Sequence, residues 1–143
     1  MLLDDYIVLY LVWFSGLFFV WLAGAIMANP QSYLKFRLRS YTPPGERENP
    51  PGKVRIAVGL YVLSDLLTIY LLARGYGQEP SLWAVMVAHI VFWPGLVRRR
   101  LMSSARRAQA RRKLEALSDR NLFLTALGSL ALGVTVFAFY YNL

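Results

Sequence analysis

Two ionisable side chains, Asp65 and His89, stand inside long apolar stretches, and their types define the chemistry open to the chain. A carboxylate beside an imidazole can share or pass a proton, and an imidazole can also ligate the metal of a haem or chlorophyll-type pigment. Each lies twelve residues from Gly77, the centre of a short polar segment, so an antiparallel helix pair brings them to similar depth. Asp65 belongs to the stripe Tyr61, Ser64, Asp65 and Thr68, whose i, i+3, i+4, i+7 spacing gathers the polar groups of that segment on one face. His89 shares its face with Val85, Met86, Phe92 and Trp93. One turn further on, Pro94 removes the hydrogen bond to the Ile90 carbonyl and predicts a bend.

Three readings of the pair follow. In the first, the two side chains hydrogen-bond to each other or to a partner subunit and fix helix packing. In the second they form a proton or ion site, since ionisable groups deep in a membrane mark pathways. In the third, His89 holds a haem or pigment, with Phe92 and Trp93 packed on the ring. A single histidine disfavours the third, because bis-histidine ligation then needs another subunit, and Met86 or Tyr61 as a second ligand has no support in the pattern. A conductor needs an oligomer, because four short spans with no inverted repeat rarely enclose a pathway alone.

The elements that must position these residues are apolar helices. Of 143 residues, 57% are hydrophobic, more than a small soluble core uses. Four stretches are long enough to act as spans, at about 6–28, 54–72, 81–97 and 121–141, given about 20 residues to cross hydrocarbon. The fold class expected is all-α: an integral membrane four-helix bundle forming one domain over 1–143, with loops at 29–53 and 98–120 on the cytoplasmic side. Asn29-Pro30 ends the first span, and the alternation Tyr33-Leu34-Lys35-Phe36-Arg37-Leu38-Arg39 reads as an extended or interfacial segment. Pro43-Pro44-Gly45 and Pro50-Pro51-Gly52 read as a pair of turns around a charged tip. Asp119 reads as the cap of the fourth span, and Tyr140-Tyr141 as an aromatic anchor at its far end.

Charge sets the orientation. Six of the sixteen Lys and Arg residues lie in or beside the first loop, one in the second and nine in the third. The first and third loops are therefore cytoplasmic and both termini outside, in the pattern of a bacterial cytoplasmic membrane, and the first span is a retained helix rather than a cleaved signal. The segment following Arg98-Arg99-Arg100 is rich in helix formers and predicts a basic amphipathic helix on the cytoplasmic surface between spans three and four. Lys35, Arg37, Arg39, Arg98, Arg99, Arg100, Arg106, Arg107, Arg111, Arg112 and Lys113 are the expected contacts to anionic headgroups, which are nearer than any nucleic acid for cations flanking apolar spans. Thr125, Ser129 and Gly133, four residues apart, form a small-residue seam for close helix packing.

The chain has no cysteine, no phosphate-binding glycine loop, no His-Glu-x-x-His and no Gly-x-Ser-x-Gly. No catalytic residue, metal site or cofactor is assigned from these signals. The sequence is read as a non-catalytic accessory, assembly or stabilising subunit of a larger membrane complex, partnered by lipid and by other membrane subunits or its own copies. The alternatives are an oligomeric proton or ion conductor using Asp65 and His89, and a haem- or pigment-binding subunit using His89.

Overall fold

A computed structural model describes residues 2–39, 41, 52–91, 93, 98 and 101–142. Among them the elements are all helices: α1 (Leu2–Ala28), α2 (Pro30–Arg39), α3 (Gly52–Ala73), α4 (Pro80–Ile90), α5 (Ser104–Glu115) and α6 (Asp119–Tyr141). Three of these, α1, α3 and α6, are long and apolar enough to cross a membrane. The described part of the expected third span forms the 11-residue apolar helix α4, with Val91 as its cap. Phe92, Pro94 with its expected bend, and residues 95–97 lie outside the described residues, as do the two Pro-Pro-Gly turns apart from Gly52.

Local chemistry explains the helix ends, and corrects two expectations. Residues 33–39 are helical rather than extended, because Asn29-Pro30 starts a helix as well as ending one. The Asn29 side chain accepts the Ser32 amide at 3.2 Å, and Pro30 occupies the first helical position, where its missing N–H costs nothing. The alternation of Leu34, Phe36 and Leu38 is thus split by the helical turn: Leu34 is buried, Leu38 packs behind it one turn on, and Phe36 is exposed. At the start of α6 the cap is Ser118, whose hydroxyl accepts the Asn121 amide at 3.3 Å, and Asp119 is the first helical residue. Its carboxylate instead complements the positive end of the helix.

The connection from α3 to α4 is tight for a backbone reason. Gly75 adopts a left-handed φ of 97°, its N–H reaches the Leu72 carbonyl, and the Tyr76 N–H reaches the Leu71 carbonyl, both at 3.2 Å. This is the Schellman arrangement, which satisfies the last carbonyls of α3 and favours glycine at that position.

Two apolar clusters hold the helices. The larger contains Leu11, Val12, Phe19, Leu71, Val85 and Val136, all fully buried, where α1, α3, α4 and α6 meet. The smaller joins Ala23 and Ile26 of α1 to Leu34 of α2, Leu114 of α5 and Leu122 and Ala126 of α6. The most extensive packing is between α1 and α6. There a Cβ on Gly133 would come within 2.8 Å of the Gly16 carbonyl oxygen, so two backbones approach as closely as glycine permits. Leu114 is the one buried residue described in α5, whose remaining surface is strongly basic.

Candidate functional site

Side chains from three helices form a hydrogen-bonded chain between α1, α3 and α4. His89, near the end of α4, lies with Nδ1 2.7 Å from Asp65 Oδ1 on α3 and Nε2 2.7 Å from Ser15 Oγ on α1. With the Nδ1 proton donated to the carboxylate, the neutral ring offers Nε2 as an acceptor and the Ser15 hydroxyl donates to it. The indole Nε1 of Trp93 donates to the other carboxylate oxygen, Oδ2, at 2.9 Å.

Tyr61 fixes the imidazole in two ways. Its ring stacks on that of His89 with centroids 4.2 Å apart, and its hydroxyl donates to the His89 carbonyl at 2.8 Å. That carbonyl lies in the last turn of α4, where the helix leaves acceptors short of donors. Phe19, one turn below Ser15, closes the other side of the ring edge-on. The chain therefore has a sealed end and an open end: Ser15 and His89 are 0% and 3% exposed, whereas the Asp65 side chain is 18% and Trp93 is 37% exposed.

The order Ser hydroxyl, His Nε2, His Nδ1, Asp is that of an activated serine. Ser15, however, is enclosed. Ser15 Oγ has no exposed surface, the adjacent Gly16 is shut against α6, and among the described residues the hydrogen bond at Ser15 is the one to His89. An acyl-transfer site also needs donors aimed at a developing oxyanion. Metal ligation by His89 would require breaking one of its two 2.7 Å contacts, which weakens the haem reading further.

The residues expected from the sequence are placed as follows. Asp65 and His89 touch, and Tyr61 belongs to their site. Ser64 and Thr68 are buried on the same face of α3 but bond within their own helix, to the Leu60 and Ser64 carbonyls at 2.8 Å, with the Tyr10 hydroxyl 3.3 Å from Ser64. In α6 the Ser129 hydroxyl donates to the Phe19 carbonyl at 2.7 Å and Gly133 abuts Gly16, while Thr125 is half-buried and bonds to its own helix at Asn121. Of the expected headgroup contacts, Lys35, Arg98, Arg106, Arg111, Arg112 and Lys113 are exposed, and Arg37, Arg39 and Arg107 are half-buried; Arg99 and Arg100 lie outside the described residues. The Tyr141 hydroxyl accepts the Trp13 indole N–H at 3.0 Å, tying α1 to the far end of α6.

Sequence reasoning missed Ser15, although it is the sole Ser or Thr of the first expected span, and it missed a clasp at the N-terminal end of α1. Asp4, an acidic residue in the first turn of α1, is 3% exposed and accepts the Tyr76 hydroxyl at 2.9 Å and the Arg74 guanidinium at 3.3 Å. The bond to Asp4, aided by desolvation, raises the Tyr76 phenol above its ordinary pKa.

Fold and site together define an all-helical protein with three helices long and apolar enough to cross a membrane. Among known proteins, no family model, no curated protein and no solved structure matches the chain.

Proposed function

We propose that the chain is an integral membrane subunit that assembles with other transmembrane helices. In this reading α1, α3, α4 and α6 form a four-helix bundle, and α2 and α5 lie at the cytoplasmic surface, where basic residues meet anionic headgroups. The carrying observation is the open end of the hydrogen-bonded chain. Asp65 is 18% exposed on α3, the least buried of the three long helices. In hydrocarbon no water is present to solvate an exposed carboxylate, so covering that edge with protein is strongly favoured. The apolar surface around it gains little from mere association in lipid, which makes the polar group the feature that selects a partner.

Native mass spectrometry from mild detergent tests this assignment. A stoichiometric partner or a defined oligomer is expected, and a stable isolated monomer would refute it. The rival reading, an oligomeric proton or ion conductor, draws on the unbroken 2.7 Å contacts from Ser15 through His89 to Asp65. It requires flux in reconstituted vesicles that Asp65→Asn abolishes.

A further inference from the structure

We infer that the edge formed by Asp65 and Trp93 receives a transmembrane helix carrying a lysine or arginine near mid-span. This rests on the reading of the chain as a membrane subunit and names the chemistry of its partner. The first support is the charge inventory. The lysine or arginine residues nearest Asp65 along the chain are Arg55 and Arg74, ten and nine residues away, which at 1.5 Å per residue is about 15 and about 13.5 Å along the axis. Arg74 is already committed to Asp4 at 3.3 Å. No lysine or arginine lies within the other expected spans either, so a second copy of this chain has no such cation to offer at that depth.

The second support is the geometry of the carboxylate. Oδ1 is bonded to the buried His89 and Oδ2 to the indole of Trp93. A carboxylate has about four acceptor sites, so each oxygen retains one, and the exposed part of Asp65 presents them at the edge of α3. Trp93 adds an aromatic surface, 37% exposed, beside the same carboxylate. An anionic oxygen next to an indole is a site for an ammonium or guanidinium group, and both terms strengthen where water is absent. A neutral serine, asparagine or glutamine can fill the hydrogen bond but leaves the charge unmatched.

The experiment uses the full chain in zwitterionic phosphatidylcholine vesicles, labelled with a donor fluorophore. The probes are acceptor-labelled polyleucine transmembrane peptides with a central lysine, glutamine or leucine. The lysine peptide is expected to associate about tenfold more strongly than the leucine peptide, with glutamine between them. Asp65→Asn should erase the advantage of lysine over glutamine, and Asp65→Glu should keep it. Helicity and detergent stability of both variants are measured alongside, so that retention by Asp65→Glu reads the site even if Asp65→Asn unfolds. Equal binding of lysine and glutamine peptides to wild type, or a lysine preference that survives in folded Asp65→Asn, would overturn the inference. Wild type that prefers lysine yet is monomeric when extracted from its native membrane supports the site and refutes the subunit reading alone.

Discussion

Replacing Gly133 with alanine tests whether the contact between α1 and α6 is as close as the structure has it. The new Cβ would lie 2.8 Å from the Gly16 carbonyl oxygen, 2.9 Å from Val20 Cγ2 and 3.2 Å from the Val20 nitrogen, where ordinary contact begins at 3.4 Å. Two of the three atoms are backbone, so no side-chain rotation relieves the clash, and the helices must part locally by about 0.6 Å. Overpacking of this kind costs about 1–3 kcal/mol. One turn away the 2.7 Å bond from Ser129 to the Phe19 carbonyl stretches with the seam, and its loss adds about 1 kcal/mol. Gly128→Ala is the control, because its Cβ meets nothing within 4 Å and it shares the intrinsic helix preference of alanine, up to about 1 kcal/mol. Unfolding by sodium dodecyl sulfate from dodecyl maltoside micelles should place Gly133→Ala about 2–4 kcal/mol below Gly128→Ala. Equal stabilities would refute the close backbone approach.

Two further expectations concern the polar clusters. A fluorophosphonate probe should leave Ser15 unmodified in the folded protein, because the hydroxyl is 0% exposed; stoichiometric modification at Ser15 that His89→Gln abolishes would show that the serine is an activated nucleophile after all. At the clasp on Asp4, the raised pKa of Tyr76 means that its neutral phenol, donating to Asp4, stabilises the fold fully below its ordinary pKa of 10.0. That contribution is lost as pH rises through the higher folded value, so thermal unfolding followed from pH 9 upward should show an alkaline loss that is smaller in Tyr76→Phe. Identical alkaline profiles for the two proteins would contradict the hydrogen bond.

The matched depth of Asp65 and His89 is legible in the sequence because it follows from local counting, whereas their 2.7 Å contact is settled by packing. A short turn centred on Gly77 and two helices of known rise set their depth, and the polar stripe of α3 sets the face. Ser15 was not legible, because which side of an almost uniformly apolar α1 meets α4 is decided by tertiary packing. The small residues of α6 announced a seam but not its partner: Gly16 becomes the counterpart through its place opposite Gly133, and Gly24, the other glycine of α1, looks no different in sequence. Over residues 33–39 the alternation of apolar and basic residues fits an extended pattern as well as it fits a helix, and the deciding signal, Asn29-Pro30, reads in sequence as an end as readily as a start. Asp4 illustrates a different limit. A carboxylate in a first turn has a sufficient local explanation, which hides the long-range bond to Tyr76.

The seam between α1 and α6 also bears on how the protein is made. Its bonds join Phe19 to Ser129 and Trp13 to Tyr141, residues separated by 110 and 128 positions. In the proposed membrane setting α1 is therefore inserted long before the surface it fits exists, and its small-residue face must wait beside lipid or an insertion factor until α6 emerges. The same holds for Ser15, whose acceptor on His89 is translated 74 residues later. Assembly of the helices is consequently a late event that closes from the last helix back to the first, and premature termination within α6 should leave every earlier helix inserted yet the fold unlocked.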